Sequence, residues 1–368
     1  MDKIAIFLSN YLNISETFIY QRIINFKEFE PIVLCYGTSN LDLFPYSRIY
    51  TFGSKNAFLE NFQRFIFVNF KFSKYFEEVL KSNNIKLLQV HFAPRAMEIL
   101  WLSRKLKIPQ VNFFHGTDLD LYIKNRRHSK KLINLINSTK ASIVSCESIK
   151  RSLVDIGCSK AMIIVNYAGI DLEKFSFSIK KPKAEGEEIK LLMVGRLIWK
   201  KGFEYGIESF QLAKRTYPNL SLRIVGDGPL KNALASQSKR FRLTNSISFL
   251  GSLSPEKVQE EMKEADILLA PSIEEGIPNV IKEALACGIP VISTYAGGIP
   301  EIIDDGKNGF LVRKRDADQL AEKIKHLIKN RQIWPEFAKA GRKKVEAKFD
   351  VKKQMIELEF LYKDILGK

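Results

Sequence analysis

Glu275-Gly276-Ile277-Pro278-Asn279-Val280-Ile281-Lys282-Glu283-Ala284 places two carboxylates eight positions apart across a junction between strand and helix. The run before it, Asp266-Ile267-Leu268-Leu269-Ala270-Pro271-Ser272, is short and apolar, as a buried strand is. The run after it, from Asn279 to Cys287, is halted by Gly288 with Pro290 beyond, a helix stop. Strand, loop and helix in that order predict an α/β fold. Glu275 then lies in a loop at the carboxyl end of a strand, where open α/β sheets receive their ligands. Glu283 lies about a turn and a half into the helix, at roughly 3.6 residues per turn. Gly276 lets a ligand approach the backbone N–H groups at the helix start, a favourable place for anions. Two acceptors around such a helix end suit a ligand with both hydroxyls and phosphates. A surface acid followed by a helix-face acid has the same spacing.

Short apolar runs alternating with helix-like stretches extend in both directions. The first half offers strands at residues 4–8, 31–35, 85–91, 110–114, 142–145 and 162–165. A second series runs through 189–194, 221–225, 246–250, 267–270 and 291–294. Such alternation predicts βαβ units on parallel sheets. Between the series, residues 175–188 turn polar and lysine-rich, around Lys180-Lys181-Pro182-Lys183, and read as a linker. At 368 residues, two domains are expected. From Val351 to Leu366, Met355, Leu358, Leu361, Tyr362 and Ile365 recur at helical spacing, an amphipathic helix.

Composition describes an ordinary soluble chain, 45% hydrophobic and 27% charged. Cys35, Cys146, Cys158 and Cys287 are scattered, without metal or redox spacing, and read as buried thiols. The first residues enter a strand-like run without a secretory apolar region. No run reaches the roughly 20 apolar residues of a spanning helix. A cytoplasmic setting follows as the expectation. The net charge is +17, and residues 101–150 hold 10 Lys/Arg against 3 Asp/Glu. Such a run can bind anionic lipid or phosphorylated substrates, or be a solvated helix face. No nucleic-acid motif accompanies it, so nucleic acid is not an expected partner. Phe58, Phe62, Phe65, Phe72 and Phe76 fall at spacings of 4, 3, 7 and 4, with Arg64, Lys71 and Lys74 between them. The stripe reads as the core face of a helix; an interfacial helix on an anionic membrane gives the same pattern.

The motifs around the opening stretch carry a family resemblance. Glu275-Gly276-x-Pro278 with Glu283-Ala284, then Gly288-Ile289-Pro290, Gly297-Gly298-Ile299-Pro300-Glu301 and Asn308-Gly309-Phe310, closely resembles the retaining glycosyltransferases of family 4. Upstream, Gly195-Arg196 with Lys201-Gly202, Gly226-Asp227-Gly228-Pro229, and His115-Gly116-Thr117-Asp118 resemble further elements of that family in its order. The resemblance implies the GT-B fold: two Rossmann-like α/β domains facing across a cleft, with a C-terminal helix crossing back to the first. Residues 1–175 would then bind the acceptor, residues 176–350 the nucleotide sugar, and residues 351–368 would form the returning helix.

The same resemblance assigns roles. A nucleotide-sugar donor loses a diphosphate, so its transition state calls for cations aimed at phosphate. Arg196 and Lys201 match the family positions for that task, an Arg fork and a Lys point charge. Glu283 would accept the ribose hydroxyls. Glu275, with the backbone of Gly276, Ile277 and Pro278, would contact the transferred sugar, and Gly195 would admit the donor. His115 would serve the site as a hydrogen-bond donor, with His91 a structural neighbour. Asp118 would orient its loop or meet the acceptor. Ser15 and Glu16 resemble a signature of polysaccharide-assembling members, and a helix cap explains them equally well. Many relatives have a Gly-Gly pair in that loop, where this chain has Ser9-Asn10-Tyr11-Leu12-Asn13-Ile14.

The implied activity is retaining hexosyl transfer from a nucleotide-diphosphate sugar to a glycan or lipid-linked acceptor, in bacterial surface polysaccharide or lipopolysaccharide assembly. No cofactor and no metal are expected, with Arg196 and Lys201 in place of a divalent ion. A peripheral contact with anionic membrane is a further expectation. The alternatives are a nucleotide-sugar epimerase or phosphorylase on the same fold, and a non-catalytic binding subunit.

Overall fold

The computed structural model describes residues 1–368 apart from 14, 15, 53–56, 117 and 182. The chain forms two compact units, Met1–Gly169 with Val351–Lys368, and Ile170–Asp350.

The first unit is built on a seven-stranded sheet, in the spatial order Ile49–Tyr50, Phe29–Leu34, Asp2–Phe7, Leu87–His91, Gln110–Phe114, Ala141–Val144 and Ile163–Val165. Every pairing is parallel. The chain begins in the middle, works outward to one edge and then reverses. The order therefore switches between Asp2–Phe7 and Leu87–His91, where such sheets bind ligands beyond the strand ends. Leu87–His91 and Gln110–Phe114 are buried along their whole length, as strands covered on both faces must be. One covering helix is Val351–Ile365, whose Val351, Met355, Leu358 and Tyr362 pack on Ile4, Phe29, Leu87, Val111 and Phe113. Glu359 of this helix accepts from the backbone N–H of Lys27 and Glu28, both at 2.7 Å.

The second unit repeats the plan with six parallel strands: Ile247–Gly251, Leu220–Val225, Ile189–Val194, Ile267–Ala270, Val291–Thr294 and Gly309–Val312. Its switch point lies between Ile189–Val194 and Ile267–Ala270. Its core gathers Leu191, Met193, Phe203, Phe210, Leu222, Ile267, Ile292 and Trp334.

Two sequence readings need correction. The units divide at Gly169, not near residue 175. Ile170 N–H donates to Phe349 O at 2.8 Å, and Lys183 reaches the buried Asp266 at 2.6 Å, so the lysine-rich segment belongs to the second unit. The Phe stripe is not a core face. Phe58, Phe62, Phe65 and Phe72 are 51–79% exposed, while Phe67 and Phe76 are buried. The spacing runs across two helices, Ala57–Asn69 and Lys74–Ser82, with Lys71 in a left-handed conformation between them. The inward register is carried by Phe67, which packs on Phe7, Tyr36, Phe52 and Trp101. Near the N-terminus the helix is Thr17–Ile24, and Glu16 takes the N-cap position without a capping hydrogen bond from its side chain.

Candidate active site

Four loops of the second unit meet at the carboxyl ends of its strands, and glycines let them meet. Gly202 and Gly297 both have positive φ; a Cβ would stand 2.1 Å from Pro271 O at the first and 1.6 Å from Glu275 O at the second. Only glycine fits. A one-turn helix, Trp199–Lys201, docks on the loop after Ile267–Ala270, and Ile273 N–H donates to Lys200 O at 2.7 Å. Two ion pairs clamp the same contact, Lys200 with Glu274 at 2.9 Å and Lys201 with Glu275. The sequence leads one to expect Lys201 beside phosphate and Glu275 beside sugar; the fold brings the two side chains together.

Arg196 follows Gly195 at the end of Ile189–Val194. It is exposed, and no described carboxylate pairs with it. Gly276 and Ile277 are partly exposed in the loop, and Pro278 is buried at the N-cap of Asn279–Cys287. Pro278 offers no side-chain acceptor to the first N–H groups of that helix. Glu283 is partly buried on its second turn, with no hydrogen bond or ion pair to any described residue. Burial pushes its carboxyl up to about 7, against a small opposing pull from the Lys282 ammonium. A carboxylate left so close to neutrality is one that a ligand's hydroxyls can satisfy.

The first unit gathers the remaining candidates at its own strand ends. His115 follows Gln110–Phe114, and its Nε2 lies 2.9 Å from His91 Nδ1. Its ring meets Phe18 and Phe92, with centroids 4.8 and 4.9 Å away. Burial and the nearby Arg22 cation lower its pKa to about 3, and hold His91 far below the usual range as well. Both rings are therefore neutral at physiological pH. His91 is thus a direct partner of His115.

Asp118 accepts from the backbone N–H of His115 and of Ala93, both at 2.9 Å. It ties the loop to the start of the helix Ala93–Leu106, which is the loop-orienting alternative. Burial raises its pKa although those N–H groups oppose the rise. Glu16 folds back on Asn13, accepting from its N–H at 2.8 Å and its Nδ2 at 3.0 Å. Ser15 lies outside the described residues.

Sequence reasoning missed two groups here. Arg22 is buried, donates to Asn166 O and Oδ1 at 3.1 and 2.9 Å, and covers the Phe113 ring at 4.6 Å. Gln89 bonds His91; two residues apart on one strand, they share a face, a signal the sequence did contain. Among the described residues no group of three or more His, Cys, Asp or Glu is placed to hold a metal ion. No helix among them is long and apolar enough to cross a membrane.

Comparison with known proteins agrees with this layout. The family described as glycosyl transferases group 1 matches residues 174–344, and glycosyltransferase family 4 matches residues 26–174. The chain is 30% identical over 256 residues to the amylovoran biosynthesis glycosyltransferase AmsK of Erwinia amylovora, covering 67% of this chain and 62% of that one. It is 30% identical over 243 residues to WcaL of Salmonella typhimurium, a glycosyltransferase named for colanic acid biosynthesis, covering 64% of this chain and 59% of that one. It therefore spans less than two thirds of either relative. The crystal structure of Anabaena HepE in complex with UDP superposes with a TM-score of 0.81 over 99% of this chain and 100% of that one, at 18% identity, a likeness of fold. The fold is GT-B, two Rossmann-like domains in one chain. With its two halves matched in sequence by adjoining families of one enzyme class, the chain belongs to glycosyltransferase family 4.

Proposed function

We propose that this protein is a retaining glycosyltransferase, moving a hexosyl group from a nucleotide-diphosphate sugar to a glycan or lipid-linked acceptor in the assembly of a bacterial surface polysaccharide. The observation that carries this reading is the charge arrangement around Asn279–Cys287. An exposed arginine, a lysine paired with a carboxylate, and an acid without a described partner come from the strand-end loops and first turns of one unit. Arg196 and Lys201 supply the positive charge that a departing diphosphate gathers as the sugar–oxygen bond breaks. Glu283 accepts the ribose hydroxyls, and Glu275 accepts from the sugar while holding Lys201 in register. Retention of configuration and independence from metal rest on the family resemblance. The names of AmsK and WcaL support the polysaccharide setting, and HepE in complex with UDP and with UDP-glucose supports the donor class. No observation favours an epimerase or a binding subunit.

The acceptor, on this reading, is met at the cytoplasmic face of a membrane. Phe58, Leu59, Phe62 and Phe65 face outward from Ala57–Asn69, and exposed Phe70 and Phe72 follow. Arg64, Lys71 and Lys74 stand exposed among them, so an apolar and cationic face would suit an anionic bilayer surface.

The test is incubation of the purified protein with UDP-, GDP-, ADP- and CMP-linked sugars, following nucleotide release. Release from one donor class is expected, with thermal stabilisation by the matching nucleotide. Neither release nor stabilisation with any of them would refute the proposal.

A further inference from the structure

The buried hydrogen bonds behind His115 form a directed chain, and its direction can be read from chemistry. Tyr362, on the helix Val351–Ile365, donates its hydroxyl proton to Gln89 Oε1 at 2.6 Å. This fixes the Gln89 amide, because the Tyr362 hydroxyl is fully buried and has no other acceptor among the described residues. The amide nitrogen then faces His91 Nε2 at 2.7 Å. An amide NH₂ only donates, so His91 Nε2 must accept. Neutral His91 therefore carries its proton on Nδ1 and donates it to His115 Nε2 at 2.9 Å. The rings are parallel within 5°, with centroids 5.2 Å apart, as for two imidazoles hydrogen-bonded edge to edge. His115 Nε2 accepts in turn, leaving the proton of neutral His115 on Nδ1. No described residue meets that Nδ1, and the His115 side chain is only partly buried.

We infer that Gln89 and Tyr362 are positioning residues that fix, through His91, the tautomer of His115, so that it presents Nδ1–H to the reacting sugars as a neutral donor. The inference rests on the proposed reading of His115 as a site residue. Protonating either ring would set N–H against N–H: His91 against the Gln89 amide, or His115 against His91. The Arg22 guanidinium, held by Asn166 and bearing on both imidazoles, opposes protonation as well. His115 thus has no lone pair to offer toward the strand ends and does not serve as a general base. A tyrosine near the last residue of the chain, 273 positions from Gln89, sets the polarity of a side chain at the sugar site.

The chain has only four histidines, so selective ¹⁵N-histidine labelling with long-range ¹H–¹⁵N correlation resolves each ring. In the wild-type protein both His91 and His115 are expected as neutral Nδ1–H tautomers. An Nε2–H tautomer at His115 would overturn the inference. Tyr362→Phe keeps the packing and frees the amide to turn; Gln89→Met removes the amide. Each is expected to give a mixed tautomer at His115 and to lower kcat on the order of 10-fold, with KM for the donor unchanged. An unaltered tautomer in both variants would remove the positioning role. His115→Ala separates the underlying reading: full turnover in that variant would refute His115 as a site residue and leave the tautomer result standing.

Discussion

Replacing Glu283 by Gln should make the protein more stable and its nucleotide binding worse, and the two effects should have different pH dependences. Burial raises the Glu283 carboxyl from the ordinary 4.5 to about 7. Between those values the folded state holds a proton that the unfolded state has lost, so stability falls as pH rises through that window. Above about pH 7 the wild-type protein carries a partly buried charge with no described hydrogen-bond donor. At about 1.4 kcal/mol per pH unit the cost approaches about 3.5 kcal/mol, and the residual exposure of the side chain reduces it to about 1–2 kcal/mol. Gln has the same shape without the charge. Thermal unfolding at about pH 8 should therefore show the variant melting a few degrees above wild type, given roughly 2–4 °C per kcal/mol for a unit of this size. At about pH 4.5 both side chains are largely uncharged and the two proteins should melt together. The order reverses with ligand: the nucleotide that stabilises the wild-type protein should raise its midpoint clearly and the variant's little, because an amide is a poorer acceptor for ribose hydroxyls. A variant no more stable than wild type at the higher pH, or equally stabilised by that nucleotide, would refute the role given to this carboxylate.

Other substitutions separate the remaining parts. Arg196→Ala should lower turnover by on the order of 10²-fold, as for loss of a donor to a developing anion, and unchanged kcat would end its phosphate role. Glu275→Gln should leave nucleoside diphosphate binding in place, seen by calorimetry, while sugar transfer falls; loss of nucleotide binding with transfer intact would reverse the division of labour with Glu283. Phe62→Ser with Phe65→Ser should abolish the salt-resistant part of co-sedimentation with anionic liposomes, leaving a part that high salt removes through screening within about 8 Å at physiological ionic strength. If the wild-type protein fails to sediment even at low salt, that face does not meet membrane.

What could be read from the sequence was whatever local signals encode. The helix Asn279–Cys287 has the bounds its Gly288 stop implies, with Gly288 in the left-handed conformation that ends helices. The buried strands announced themselves as short apolar runs, and their parallel pairing follows from alternation with helices. The edge strand Ile49–Tyr50 has two residues, too few for any periodicity to register. The exposure of Phe62 and Phe65 was illegible for a different reason. Hydrophobic spacing reports that residues share a face, not what covers it, and among the described side chains of that helix the fully buried aromatic is Phe67, off the stripe. The chain from Tyr362 to His115 joins residues far apart in sequence, so only the packed helix Val351–Ile365 reveals it.

The motif residues themselves divide into two kinds, and the glycines belong to the first. At Gly202, Gly226, Gly228 and Gly297 a Cβ would run into the backbone of Pro271, Gly195, Leu197 and Glu275, at 1.9 to 2.6 Å for the first three and 1.6 Å for the last. These four positions let one loop lie against the next, and any side chain would push the loops apart whether or not a ligand were bound. Gly297→Ala should accordingly lower thermal stability and activity together, because the clash is with backbone that cannot rotate away. The second kind is polar and incompletely satisfied: Arg196 with no described carboxylate, and Glu283 near neutrality with no described donor. A folded protein rarely leaves a carboxyl as buried as that of Glu283 without a partner unless something else completes it. Matching a family's glycines therefore argues for its loop geometry, while the argument for its chemistry rests on the charged side chains that this geometry leaves unsatisfied.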